Sequence, residues 1–360
     1  MNINGAMTKK SIKAKTKSVI KSSEDTKIYY LLIAISFLPL IAVIISLVIG
    51  RYPISLPEFF NAISNKISGT STMVNSIDTV LFNVRIPRII AALLIGGALS
   101  VAGATYQGLF KNPMVSPDIL GASAGAGFGA ALGILLSFNT AGIQISAFLF
   151  GLGAVTITYL LSSAIRRGNS ATLVLILTGM VVSTLFSSFI SITKYVADPT
   201  DKLPAITFWL MGGLSSVGLK DLKTLLIPIT LGIIPLFFLR WKLNILSFGE
   251  EEAKALGLDT SSLRIVIIFC STLITAGTIS VSGMIGWIGL IIPHMARMIV
   301  GPNFKVLLPT SLILGATFLL LVDDFARCAF AMEIPLGILT SLIGAPFFIF
   351  LLMKGRKGWV

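Results

Sequence analysis

Residues 119 to 165 contain no charged side chain. Drawn as one helix at 1.5 Å per residue, that stretch would be about 70 Å long, more than twice the ~30 Å of hydrocarbon in a bilayer. No soluble surface can be built from it and no single span can use it, so the chain has to enter lipid and turn back. The turn is placed at "SFNTAG" (137–142), a polar, glycine-containing break inside the run. The rest of the sequence has the same character, with 12% charged residues where soluble domains carry roughly 25%. This leaves too little hydrophilic sequence for a separate soluble domain. The expected fold class is a single all-α, multi-pass unit of the cell (cytoplasmic) membrane.

Charge clusters taken as loop ends give about ten candidate spans, at 28–50, 89–109, 119–137, 143–165, 171–193, 222–239, 264–281, 284–300, 306–322 and 334–353. Between Arg264 and Arg297 lies another uncharged run, about 48 Å as one helix. Gly277, Gly283, Gly286 and Gly289 allow a turn there, followed by one short, broken helix. "KNPMVSPDILG" (111–121) and "GLIIPHMAR" (289–297) fall at corresponding places five spans apart. An odd offset sets the two halves in opposite orientation, the mark of an inverted repeat.

Orientation follows from lysine and arginine on alternate loops. The side of the N-terminus holds 19 and the other side 9, which predicts both termini in the cytoplasm. Seven of the 19 lie in residues 1–27. That basic tail is read as a disordered segment held near anionic lipid rather than as a nucleic-acid arm. The apolar run after it is too long for a signal-peptide core and lacks a small-residue cleavage site, so it is read as a retained span. The membrane-spanning unit is then 28–356, with one long loop at 240–264.

Arg85 and Arg88, in "NVRIPRII" (83–90), precede the second span, and Arg327, in "VDDFARCAF", follows the ninth; all three fall on the outer side by the same count. Three guanidinium forks on one face suit either interfacial anchoring or docking of carboxylates. In the 240–264 loop, Ser247 and Glu250 have capping-box spacing. Glu250, Glu251 and Glu252 load a first turn, and Gly257 can close the helix at C′. Ala253, Leu256 and Leu258 would form a small apolar face.

Several chemistries are excluded or weak. "GASAGAGFGAALG" (121–133) contains a G-x-G-x-x-A match, but no strand precedes it and no acid follows at the required distance. Its glycines at 121, 125, 129 and 133 instead have the spacing of close helix packing in lipid. Cys270 and Cys328 have no metal-ligand spacing and support no disulfide. No G-x-x-x-x-G-K-[ST] occurs, so ATP is not bound in that manner. No carboxylate falls inside the assigned spans, which disfavours an ion-coupled secondary transporter. Ser282 and His294 could form an intramembrane dyad for peptide hydrolysis, but they fall near opposite ends of one short span and the nucleophile elbow is absent.

The block "RIPRIIAALLIGGALSVAGATYQGLFKNPMVSPDILGASAGAGFGA" resembles the signature of the FecCD-type permeases. These are membrane subunits of importers for ferric siderophores, haem and cobalamin. "FWLMGGLSSVG" (208–218), "LGLDTSSLR", "GMIGWIGLIIPHMAR" and residues 334–348 resemble later blocks in the same order, so the likeness spans about 28–356. The resemblance implies a type II ATP-binding-cassette importer. It would contain a second permease (identical copy or paralogue), two cytoplasmic ATPases that hydrolyse the ATP, and an extracellular substrate-binding protein. The permease itself would perform no catalysis and hold no cofactor. By position, Arg85, Arg88 and Arg327 resemble the arginines that pair with glutamates of the binding protein. The segment from Ser247 to Gly257 (Glu250, Glu251, Ala253, Leu256) resembles the coupling helix that rests in the ATPase. Asn112, Pro113, Met114 and Thr172 match cytoplasmic gate positions, and the stretch 203–214 resembles an outer half-helix. The implied cargo is a small metal chelate, ferric siderophore first, then haem or cobalamin.

Overall fold

The computed structural model describes residues 30–52, 54–68, 76–165 and 171–355. The basic tail at 1–27 and the predicted end of the unit at 356 lie outside the described residues. The described segments are helical, and each of the candidate spans coincides with a helix. Helix α1 is Tyr30–Val48, followed by the short α2 (Leu56–Ile67) and the long α3 (Ser76–Leu109). Next come α4 (Ala122–Leu135), α5 (Thr140–Ile165), α6 (Ala171–Val196) and the half-length α7 (Lys202–Met211). Helix α8 (Leu219–Leu246) leads through α9 (Glu250–Ala255) into α10 (Thr260–Ser282). Then follow α11 (Ile288–Val300), α12 (Phe304–Cys328) and α13 (Leu336–Gly355). Among the described residues, seven helices are long and apolar enough to cross a bilayer, and α4, α11 and α13 are shorter apolar helices.

Helices α3 and α10 form the centre. Small residues let neighbours pack against the α3 backbone, since a methyl at Gly103 would strike the backbone of Gly289 in α11, and one at Gly96 that of Gly315 in α12. In lipid, where burial of apolar surface gives no drive between helices, this close approach supplies the dispersion contacts that hold the bundle. The α4 glycines act as their spacing predicts. A methyl at Gly125 would sit 2.6 Å from Ala154 Cβ, and one at Gly129 2.8 Å from the carbonyl carbon of Ser146, both in α5. Gly121 differs: it caps α4 with φ +92°, a conformation that disfavours a side chain.

The uncharged run after Arg264 resolves as one full helix and one short one. Gly283 (φ +66°) ends α10, and Trp287 (φ +69°) opens α11. The break is held by neighbours: Gly213 N–H donates to Ser282 O (2.8 Å), and Leu336 N–H donates to Gly212 O (2.9 Å). Three chain segments are thereby stapled at one end of the bundle. The short helices α4 and α11, third and eighth of the candidate spans, are each entered through such a broken turn.

Candidate functional site

The two ends of α3 carry the candidate residues. Arg88 and Gln107 are 19 positions apart, about 28 Å along a helix, so they serve opposite ends of the bundle. The helix begins at Ser76, well before the predicted 89, and passes through a π-helical stretch, Thr79–Arg85. The arginines therefore sit inside the helix rather than before it.

All three are buried, with Arg85, Arg88 and Arg327 only 3%, 5% and 6% exposed. Arg85 donates through Nη1 to Leu47 O (2.6 Å), a carbonyl in the last turn of α1 where the helix dipole favours a cation, and through Nη2 to Tyr52 O in the segment that follows the helix. Arg88 grips Asp323 through Nε (2.9 Å) and Nη2 (2.9 Å), while its Nη1 donates to Glu333 at 3.1 Å. Arg327 contacts Asp323 at 3.3 Å, pairs with Asp324 and donates to Ser46 Oγ (2.8 Å), which itself donates to Asp324 (2.6 Å). Arg51 Nε donates to Arg327 O (2.9 Å), closing the network over the end of α12.

These arginines thus have an internal task, tying α1, α3 and α12 together, and the forks are already shared with carboxylates of the same chain. Asp323 and Asp324 also correct the expectation that no carboxylate lies within a span, because α12 runs to Cys328 rather than ending at 322. Their pairing with Arg88 and Arg327 is what permits the burial. The i,i+3 and i,i+4 spacing of Asp324 and Asp323 to Arg327 was a readable signal for this. The contributions of Ser46, Arg51 and Glu333 were not, since they come from remote segments. Beside the cluster, Arg88, Glu333, Ser215, Ser216 and Ser282 line a cavity of 330 Å³. Ser282 Oγ donates to backbone carbonyls (Thr278 O, 2.9 Å), an arrangement that does not prime it as a nucleophile.

At the other end, α9 departs from its predicted cap. Ser247 belongs to the last turn of α8, its hydroxyl bound to Asn244 O (2.7 Å), and Gly249 occupies the N-cap of α9. The i−3 carbonyl satisfies the serine before the turn begins. Gly257 closes the helix as its sequence position suggests: Gly257 N–H donates to Lys254 O (2.9 Å) and Leu258 N–H to Ala253 O (3.0 Å), a Schellman motif. Glu250 bonds Arg264 (2.8 Å) and lies 3.5 Å from Lys254, which fastens α9 to α10. Burial pushes the Glu250 carboxyl up, but Arg264 and then Lys254 more than offset this and hold it below its usual range. The apolar face divides: Ala253 is buried, Leu258 packs on the core, and Leu256 and Phe248 point outward, 67% and 75% exposed. Glu251 is exposed.

Nearby, Gln107, Lys111, Asn112, Pro113, Ser247 and Arg297 line a cavity of 230 Å³. Two of the four predicted gate residues are in that lining; Met114 and Thr172 are not. Asn112 Oδ1 accepts from Met114 N–H (2.9 Å), fixing the turn after α3. Between the two ends, α6 turns Thr184, Ser187, Ser188 and Ser191 outward, each hydroxyl donating to the carbonyl four residues back.

Residues 38–354 match the FecCD transport family. The molybdate import system permease protein MolB of Haemophilus influenzae is 42% identical over 329 residues, covering 91% of this chain and 96% of that protein. A probable iron chelatin transport system permease protein of Helicobacter pylori is 40% identical over 283 residues, covering 79% and 85%. A solved metal-chelate type ABC transporter, in an inward-facing conformation, is 41% identical with a TM-score of 0.81, over 90% of this chain and 99% of that one.

Proposed function

Since the chain belongs to the FecCD transport family, we propose that it is the permease subunit of an ATP-binding-cassette importer. The supporting observation is α9, a short helix fastened to the core through Glu250, Arg264 and Ala253 while offering Phe248 and Leu256 to solvent. A rigid knob with an apolar tip suits a lever moved by a cytoplasmic ATPase, and the arginine end then faces the external binding protein. Two permeases would enclose the path, lined by the hydroxyl row of α6. ATP-driven closure of the cassettes would move α9 and exchange which end of the path is open.

Docking at the arginine end would work by exchange. A carboxylate of the binding protein takes the Nη1 edge of Arg88 that Glu333 occupies, while Asp323 keeps the buried edge. For cargo, similarity to the molybdate permease spans more of the chain than that to the iron chelatin permease, which favours a compact metal oxyanion. A ferric chelate, including a siderophore, is the second reading. The deciding experiment is uptake into proteoliposomes containing the permease with its ATPase and binding protein. ATP-dependent accumulation of molybdate is expected; accumulation of a ferric chelate instead selects the second reading, and uptake without ATP sinks the importer assignment.

A further inference from the structure

The cavity around Gln107, Lys111 and Arg297 has a charge problem. Its lining contains two cations and no carboxylate. Arg297 Nη2 donates to Gln107 Oε1 (3.1 Å), and Gln107 is oriented for this by donating its own Nε2 to Leu290 O (3.1 Å). That neutral acceptor offsets no charge. Arg297 Nη1 is buried and has no hydrogen-bond partner among the described residues. A part-buried guanidinium without a counter-charge is costly to desolvate, and the described residues lining this cavity supply no carboxylate to offset it.

Lys111 adds a second observation. It occupies the C′ position of α3 with φ +50°, where its N–H donates to Gly108 O (3.3 Å) and that of Asn112 to Gln107 O (3.1 Å). Glycine fills this position at no steric cost, whereas the Cβ of a lysine is strained there. Strain of this kind persists where the surroundings over-determine it, often at a binding site. Asn112 adds a donor, because its Oδ1 is engaged by Met114 N–H and its amide nitrogen remains.

We propose that this cavity binds an oxyanion with the charge and shape of phosphate, held between Arg297 and Lys111. The anion would neutralise the part-buried Arg297 guanidinium, give its Nη1 a partner and bridge the turn after α3 to α11. The inference stands apart from the cargo assignment, because its readout is binding rather than uptake. Such an anion could be a free ion or a lipid phosphate, and the test separates them.

The full chain is purified into phosphatidylcholine nanodiscs, and radiolabelled inorganic phosphate is titrated by equilibrium dialysis. Parallel discs containing phosphatidylglycerol are followed by thermal unfolding. Saturable phosphate binding in neutral lipid identifies a free-ion site. Stabilisation by phosphatidylglycerol without phosphate binding identifies a headgroup site. In either case Arg297→Gln abolishes the response, and Lys111→Gln, on an exposed turn where folding is not at risk, weakens it by about tenfold or more, the loss expected for one charge-assisted contact. No response to either probe in the wild type, or a response undiminished in Lys111→Gln, overturns the proposal.

Discussion

Asp323 decides how the arginine cluster should be read. It is fully buried and receives both Arg88, through a two-point grip, and Arg327. Removing its charge leaves two guanidiniums short of a partner in a low-dielectric site, so Asp323→Asn destabilises the chain by roughly 3–5 kcal/mol, measurable as reduced thermal stability in detergent. Charge reversal at Arg88 does the same and therefore cannot report docking. Glu333, at the cavity edge with its side chain 32% exposed, separates the two roles. If docking works by exchange, Glu333→Gln frees the outer edge of Arg88 and tightens association with the binding protein, with near-normal stability. Surface plasmon resonance on nanodisc-held complex reads this directly, and weaker association would sink the exchange idea. The sequence displayed the three arginines and the helical spacing of Asp323 and Asp324 to Arg327, but not Glu333 and Ser46, which approach Arg88 and Arg327 only through packing of segments remote in the chain.

At the scale of elements, the apolar runs marked nearly every helix, since hydrocarbon thickness limits what a long uncharged segment can do. The ends were harder. Helix α3 begins 13 residues before its predicted start and α12 extends past its predicted end at 322, because buried ion pairs let charged residues continue inside the fold. Helix α9 was visible through its acidic first turn and Gly257, yet Ser247 proved to be the end of the preceding helix. The bond from Glu250 to Arg264 makes α9 sensitive to acid in a defined direction. A carboxyl held below its ordinary 4.5 contributes stability that is fully present above that value and is lost as pH falls through the lower folded one. Hydrogen exchange in α9 should therefore stay protected from pH 7 down to about 4.5 and rise below it. Glu250→Gln removes that protection at every pH. ATPase coupling should fail with Leu256→Asp at unchanged stability, since that side chain touches solvent, and an unaltered uptake rate would remove α9 from the lever role.

The whole molecule has one surface that the isolated chain leaves unexplained. Thr184, Ser187, Ser188 and Ser191 form an outward-facing row on α6, a helix long and apolar enough to cross a bilayer, while other exposed positions such as Phe238 on α8 carry the apolar side chains expected against lipid. Back-bonding to the helix carbonyls uses each hydroxyl proton, but the oxygen retains acceptor capacity that hydrocarbon cannot meet. The row is therefore suited to water in a path, or to a second protein surface across it. Sequence alone could not reveal this, because serine and threonine are common in spans and only the fold shows which of them lack an internal neighbour. If two copies enclose the path, α6 of one lies opposite α6 of the other near the symmetry axis. In a Cys270→Ser, Cys328→Ser background, Ser187→Cys or Ser191→Cys then gives an oxidant-dependent dimer band, since a disulfide forms when Cα atoms come within about 4.4–6.8 Å. Phe238→Cys, facing lipid, stays monomeric on the same gel. Cross-linking at Phe238 with none on the hydroxyl row would move the dimer interface to α8 and leave the α6 hydroxyls facing outward, and the proposed central path would have to be abandoned.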